Sequence, residues 1–157
     1  FLLVYSCVLM NPLLAAQQLT HSYDNNHIDL PDLNVPHDGY CPYSDQTWNH
    51  DGNGHGTHCA GIVGAIGGNG EGLTSLNPDP NKFDFFISKG LKDSGTGTLS
   101  GILSAVQKCV DNGAKIISMS LGGGGFSDIT NDQLSGHYEN DGVLLIASAG
   151  NNVSGSI

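Results

Sequence analysis

The chain has few charged side chains, and very few of them are basic. Only 13% of its 157 residues are charged, and five Lys and Arg stand against fifteen Asp and Glu. Nucleic acids and anionic membranes attract proteins through basic patches, and a formal net charge of -10 opposes both. We therefore expect no nucleic-acid partner and no membrane partner. The 23 glycines and 38% hydrophobic residues are typical of a loop-rich globular protein.

The sequence also lacks the short motifs of several enzyme classes. Its four cysteines, Cys7, Cys41, Cys59 and Cys109, form no Cys-x-x-Cys pair, which excludes a zinc knuckle and a thioredoxin-type site. No HExxH, GK[ST] or GxSxG string occurs, so a zincin, a phosphate loop and a nucleophile elbow find no support. In an oxidising compartment we expect one disulfide, with Cys41 paired to Cys109.

The first sixteen residues are almost all apolar and end in Ala15 and Ala16. This pattern is typical of the hydrophobic core and cleavage site of a signal peptide, although no basic segment precedes it. The alternative is a buried strand or helix of the domain. We expect residues 1–18 to be a signal-peptide remnant or a misjoined segment, residues 19–157 to be part of one domain, and the protein to be secreted.

The rest of the chain alternates strands with helices. Residues 23–53 are rich in Asp, Asn, Pro and Gly, which predicts a surface loop. Near-continuous apolar strands separated by helices predict an α/β fold: a three-layer, doubly wound, mostly parallel sheet. The expected helices are 55–66, 99–113 after an N-cap at Thr98, and 131–140; the expected strands are 83–88, 115–121 and 143–149.

In such sheets, ligands bind at the carboxyl ends of the strands. Two of the expected strands lead into polar, glycine-rich segments, Ser120–Gly125 and Ala149–Asn152. A third glycine-flanked segment, Gly54–Gly61, opens a helix with His55. A histidine at a loop edge, with small neighbours, is accessible for general acid-base chemistry.

These three segments resemble those of the subtilases. Residues 54–61 (GHGTHCAG) match the family's histidine motif HGTHxAG, 118–123 (SMSLGG) resemble its substrate-cleft strand, and 147–151 (ASAGN) resemble its oxyanion segment. The resemblance implies a subtilisin-like serine endopeptidase acting on extended polypeptides, monomeric when full length, with His55 as general base and Asn151 in the oxyanion hole. It implies substrate binding by Ser118, Ser120, Leu121, Gly122 and Gly123.

The sequence departs from the subtilase pattern in two places. The family's catalytic aspartate aligns with Thr20, and the strand expected before it is replaced by residues 15–19 (AAQQL). No Gly-Thr-Ser-Met-Ala string occurs, so no nucleophilic serine can be assigned. We expect the chain to be the N-terminal half of the catalytic domain and to be inactive alone. Cys59 matches a free cysteine of proteinase K-like members, and we expect it to be reduced.

Other interpretations remain open. A metal site formed by His50, Asp51, His55 and His58 is the rival enzyme hypothesis, although their spacing matches no known ligand motif. No cofactor is required by the resemblance, but structural calcium is possible. Its ligands would come from six carboxylates: Asp24, Asp29, Asp32, Asp38, Asp45 and Asp51. A non-catalytic peptide-binding pseudoprotease is the alternative function, and Thr20 favours it.

Overall fold

The computed structural model of the chain describes residues 15–20, 22–33, 35, 37–123 and 127–150. Most of the expected leader and the predicted oxyanion residue Asn151 lie outside these ranges. Five strands and three helices are described: β1 (Ala15–Thr20), β2 (Gly39–Tyr40), α1 (His55–Gly64), β3 (Asp84–Lys89), α2 (Leu99–Asp111), β4 (Ile116–Met119), α3 (Asp128–Asp141) and β5 (Leu144–Ala147).

The strands form one parallel sheet in the order β2-β3-β1-β4-β5. Strand β1 pairs Ala16 with Phe85 of β3 on one side and with Ile116 of β4 on the other. Parallel neighbours require crossover connections, and here α1, α2 and α3 each lie within one. The predicted α/β class with a parallel sheet is therefore confirmed.

Strand β1 is the element that the sequence pattern did not predict. Residues 15–20, expected to replace a family strand, themselves form the central strand of the sheet. Ala and Gln have low intrinsic β-propensity, so these residues gave no sign of a strand. Pairing with a neighbouring strand on each side makes them one. The strand also crosses residue 18, where we placed the boundary of the leader, and that boundary stays a prediction.

The two faces of the sheet bury separate clusters because side chains alternate along a strand. Phe85 and Ile87 of β3 face α1, whereas Phe86 faces α2. Each fully buried aliphatic or aromatic side chain contributes about 1.5–3 kcal/mol. The α1 cluster comprises Tyr23, Leu30, Trp48, Ala60, Val63, Ala65, Phe85 and Ile87. The α2 cluster comprises Phe86, Ala105, Val106, Cys109, Ala114, Ile117, Met119 and Val143.

The composition of residues 23–53 predicted a surface loop, but the structure buries part of this segment. Tyr23 is fully buried, and Leu30 and Trp48 are each 5% exposed. The Tyr23 hydroxyl donates to the Pro31 carbonyl at 2.6 Å, which satisfies its polar end inside the core. Three apolar anchors therefore fix an otherwise polar segment over α1.

The expected disulfide is wrong. Cys41, Cys59 and Cys109 are free thiols, and Cys109 is buried inside the α2 cluster. Burial raises the pKa of the Cys109 thiol to about 12, despite a hydrogen bond with Ser88 that lowers it. Cys59 forms no disulfide, as expected. Among the described residues, no helix is long and apolar enough to cross a membrane.

Candidate active site

The histidine motif begins helix α1, and a carboxylate holds the start of that helix. Gly54 occupies the N-cap with φ of 89°, a left-handed conformation that glycine adopts without strain, and it provides no side-chain cap. Asp51 replaces that cap. Its Oδ1 accepts from the Gly54 N–H at 2.9 Å, and its Oδ2 accepts from the Thr57 N–H at 2.8 Å and the Thr57 hydroxyl at 2.7 Å.

Asp51 also joins α1 to the chain that follows β1. Its Oδ1 accepts from the Asn53 N–H and the Ser22 hydroxyl, both at 3.1 Å. Burial alone would raise the pKa of Asp51, but the hydrogen bonds from Thr57, Gly54 and Asn53 outweigh it and lower the pKa to about 2. Asp51 is thus a charged helix cap at neutral pH, and its negative charge suits a helix N-terminus.

His55, Cys59 and Ser120 meet at the carboxyl edge of the sheet. The Cys59 Sγ lies 3.7 Å from the His55 Nε2, one helical turn away. The Ser120 side chain lies near enough to the same thiol to lower its pKa in part. Burial raises the pKa of Cys59, so the group between His55 and Ser120 is a neutral thiol. The fold therefore brings the predicted base beside the predicted substrate segment.

The predicted substrate segment leaves the sheet at the end of β4. Ser118 is buried on the strand, Ser120 and Leu121 are half-buried, and Gly122 and Gly123 are exposed. The Ser148 hydroxyl, just after β5, donates to the Leu121 carbonyl at 3.0 Å. This contact holds the segment in place while its glycine end faces solvent, which suits backbone pairing with another chain.

The predicted site residues are partly brought together. His55 and Ser120 meet through Cys59, whereas Asn151 lies outside the described residues. The backbone of Thr20 ends β1 between the ends of β3 and β4, with Lys89 as its register partner. The position aligned with the family's aspartate is therefore at the carboxyl edge of the sheet, and a threonine occupies it.

Structural calcium stays a prediction for the carboxylates named above. No group of three or more His, Cys, Asp or Glu in the described part of the chain is placed to hold a metal ion. The two oxygens of Asp29 accept instead from Asn69 Nδ2 and the Leu73 N–H, both at 2.9 Å. These bonds lower the pKa of Asp29, the Leu73 N–H most strongly.

The same test applies to the rival metal hypothesis for His50, Asp51, His55 and His58. Both oxygens of Asp51 are used by N–H and O–H donors of the helix start, so none faces a shared cation. His58 is exposed on α1. These four side chains therefore do not form one metal site. They occur together because Asp51 caps the helix α1 that carries His55 and His58.

Two features of the site were missed from the sequence. The structural role of Asp51 was signalled by its place four residues before His55 in a helix start that lacks another cap. Lys89 gave no signal, because the apolar strand pattern around it predicted only a buried strand. Its side chain is fully buried and forms an ion pair with Asp93.

The fold and site together define a class of protein: a parallel α/β domain with a histidine-bearing helix beside a strand that ends in glycines. The sequence profile of the subtilase family matches residues 17–156. The chain therefore belongs to the subtilase family.

Relatives and a solved structure agree with this assignment. The chain is 38% identical over 111 residues to subtilisin DY of Bacillus licheniformis, covering 71% of this chain and 39% of the relative. It is 36% identical over 128 residues to thermitase of Thermoactinomyces vulgaris, covering 81% and 43%. The crystal structure of the subtilisin-like protease Apa1 from Pseudoalteromonas sp. AS-11 matches with TM-score 0.74 and 34% identity, covering 89% of this chain and 32% of that one. The chain thus spans less than half the length of these relatives.

Proposed function

We propose that this chain is the histidine- and cleft-bearing part of a secreted serine endopeptidase that cleaves extended polypeptides. The observation that carries the proposal is that His55 on α1 contacts Cys59 at 3.7 Å, while Ser120 at the end of β4 lies near the same thiol. It joins a histidine helix to a glycine-ended strand at the edge where parallel sheets bind ligands. The relatives named above are subtilisins and proteases, which supports the same reaction class.

In this proposal His55 is the general base. It takes the proton of a serine hydroxyl as that oxygen attacks the peptide carbonyl, and later gives the proton to the leaving amine. The serine belongs to a part of the protein outside these 157 residues, because no nucleophile motif occurs within them. Asn151 donates a hydrogen bond to the oxyanion. Loss of the corresponding asparagine contact in a subtilisin is known to cost about 2.7–4 kcal/mol of transition-state stabilisation.

The segment 118–123 binds the substrate backbone as an added strand. Gly122 and Gly123 are exposed, and a Cβ at Gly122 would meet no atom within 4 Å. A peptide can therefore approach this backbone closely, with main-chain hydrogen bonds giving affinity. The partner is an extended polypeptide, and no cofactor takes part in the reaction.

The binding step is tested by a matched pair of variants in the 157-residue chain. Gly122→Pro removes the N–H donor, whereas Gly122→Ala keeps it and places its methyl group in open space. The probe is a dye-labelled N-acetyl tetrapeptide, and fluorescence polarisation measures its Kd. We expect Gly122→Pro to weaken binding about tenfold and Gly122→Ala to change it less than about twofold. Equal affinities for the two variants contradict the proposal that residues 118–123 bind peptide as an added strand.

A non-catalytic peptide-binding protein is the second candidate, and Thr20 is the observation that favours it. An aspartate at this position would orient the imidazole, and replacing the aspartate of such a triad lowers kcat about 10⁴-fold. Sequencing the full transcript decides between the candidates. A serine motif downstream, with an aspartate in place of Thr20, supports the protease. A serine motif with Thr20 retained supports peptide binding, and a Thr20→Asp variant of that full-length protein should then gain hydrolysis.

A further inference from the structure

Lys89 is a buried charge that peptide hydrolysis does not use. Its side chain is 0% exposed at the end of β3, and its Nζ forms an ion pair with Asp93, whose side chain is 31% exposed. A buried ammonium is stable only when it is paired and hydrogen-bonded. The Nζ also lies 3.5 Å from the His50 carbonyl oxygen. The ammonium therefore joins the end of β3 to the segment that precedes α1.

Asp93 makes further contacts with that same segment. Its backbone carbonyl accepts from Asn53 Nδ2 at 3.0 Å, and its N–H donates to Gln46 Oε1 at 3.1 Å. A Cβ at Gly52 would lie 2.6 Å from Asp93 Oδ2, so the glycine backbone and the Asp93 side chain pack as closely as glycine allows. Lys89 and Asp93 thus touch the segment His50–Asn53 at three of its four residues.

Asp51, which belongs to this segment, holds its C-terminal part. The Asn53 and Gly54 N–H groups both donate to Asp51 Oδ1, at 3.1 and 2.9 Å. Residues 50–54 therefore contact two carboxylates: Asp51, which caps the start of α1, and Asp93, which pairs with Lys89. Since His55 follows Gly54 directly, both carboxylates hold the chain that leads into His55.

We propose that Lys89 is a positioning residue for His55, acting through Asp93 on the segment 50–54. The inference rests on the proposed function only in giving His55 the role of base. The ammonium contacts Asp93 and the His50 carbonyl; it neutralises Asp93 and fixes the backbone that carries Asn53. Removing the ammonium leaves the Asp93 carboxylate without its buried partner and frees the segment on that side.

The test compares Lys89→Met with Lys92→Met in the 157-residue chain. Lys92 lies next to Asp93 in the loop after β3. It is 42% exposed and pairs loosely with Asp45 at 3.8 Å, so its loss controls for the removal of a lysine charge. Two readouts are used: the imidazole NMR resonances of His55, and hydrogen exchange of the Asn53 and Gly54 amides. We expect Lys89→Met to shift the His55 resonances and speed exchange at both amides at least about tenfold. Lys92→Met should change exchange less than about twofold.

If Lys89 only stabilises the fold as a whole, the Lys89→Met variant gives a different result. General destabilisation would speed exchange in α2 and β3 by the same factor and leave the His55 resonances of the folded state in place. That outcome, or unchanged exchange in a folded Lys89→Met variant, overturns the proposal. Neither readout needs peptide binding or cleavage, so a failure here is distinct from a failure of the proposed function.

A second pair of variants decides the question if Lys89→Met does not fold. Asn53→Ala removes only the exposed bond to the Asp93 carbonyl. Asn112→Ala removes a similar exposed amide bond, to the Lys108 carbonyl, at the end of α2. We expect the first variant, and not the second, to shift the His55 resonances. If both variants leave those resonances unchanged, the proposal is wrong.

Discussion

Asp51 shows how one carboxylate can organise the surroundings of a proposed general base, His55, without joining the chemistry. It accepts from three backbone N–H groups and two hydroxyls, contributed by the helix start and by Ser22. Charge-assisted hydrogen bonds of this kind are stronger than neutral ones. They also replace the side-chain cap that Gly54 cannot supply. The helix start is therefore held by a residue that stands outside the helix.

The low pKa of Asp51 predicts an acid-sensitive contribution to stability. A carboxyl with a pKa of about 2 in the folded chain and 3.8 when unfolded stabilises the fold above pH 4 and loses that effect as the pH falls to 2. Because this carboxylate is only part-buried, we expect about 1 kcal/mol after solvent screening. Urea unfolding should show Asp51→Asn to be less stable at pH 6, with the difference shrinking by pH 2. A difference independent of pH would contradict the charged cap.

At the scale of elements, α1 packs on β3 through glycine. A Cβ at Gly64 would lie 2.4 Å from Phe85 Cε2 and 2.5 Å from Phe83 Cζ, too close for any carbon contact. The two rings themselves meet edge to face, with centroids 4.9 Å apart. Phe85 is 6% exposed and has little room to move. The close approach of helix and strand, which carries His55 to the sheet edge, depends on this missing side chain.

Two glycines of α1 should respond in opposite directions to the same substitution. Gly64→Ala forces the Phe83 and Phe85 rings apart and should destabilise the fold by about 1–3 kcal/mol. Gly61→Ala adds its methyl group where no atom lies within 4 Å and should stabilise the fold by about 0.5–1 kcal/mol. Urea denaturation of both variants measures the difference. Equal effects would show that helix propensity, and not packing, governs this helix.

At the scale of the whole molecule, the chain holds only part of the proposed reaction centre. His55 and the edge 118–123 are in place, whereas the chain contains neither a nucleophile motif nor an aspartate at position 20. The described sheet ends at β5, where Leu144 is 39% exposed. Relatives that match are more than twice as long as the matched region. Under the proposed function, peptide binding and peptide cleavage are therefore expected to be separable.

We expect the 157-residue chain to bind peptide without cleaving it. Without the attacking serine, the general base and oxyanion contact have no alkoxide or tetrahedral intermediate to act on. The measurement is release of fluorophore from a quenched peptide, with a His55→Ala chain purified in parallel to reveal contaminating protease. Hydrolysis that disappears in His55→Ala would show that the chain is active alone.

The sequence by itself determined the family, the parallel α/β class and most element positions. The histidine motif, the SMSLGG segment and the apolar strands are local patterns, so they could be read one at a time. The N-cap at Thr98, whose side chain accepts from the Gly101 N–H, and the helix end near Gly113 followed from local capping rules. The contact of His55 with Cys59 is also local, because the two residues lie one helical turn apart on α1.

Only the tertiary structure decided what depends on distant neighbours. Strand β1 has weak strand propensity and becomes central because β3 and β4 pair with it on both sides. Trp48 and Tyr23 are buried within a polar segment because α1 and β3 lie beneath them. Lys89 is charged inside the protein because Asp93 folds back against it. Each outcome arises from contacts that the local sequence pattern does not encode, and together these contacts override local preference.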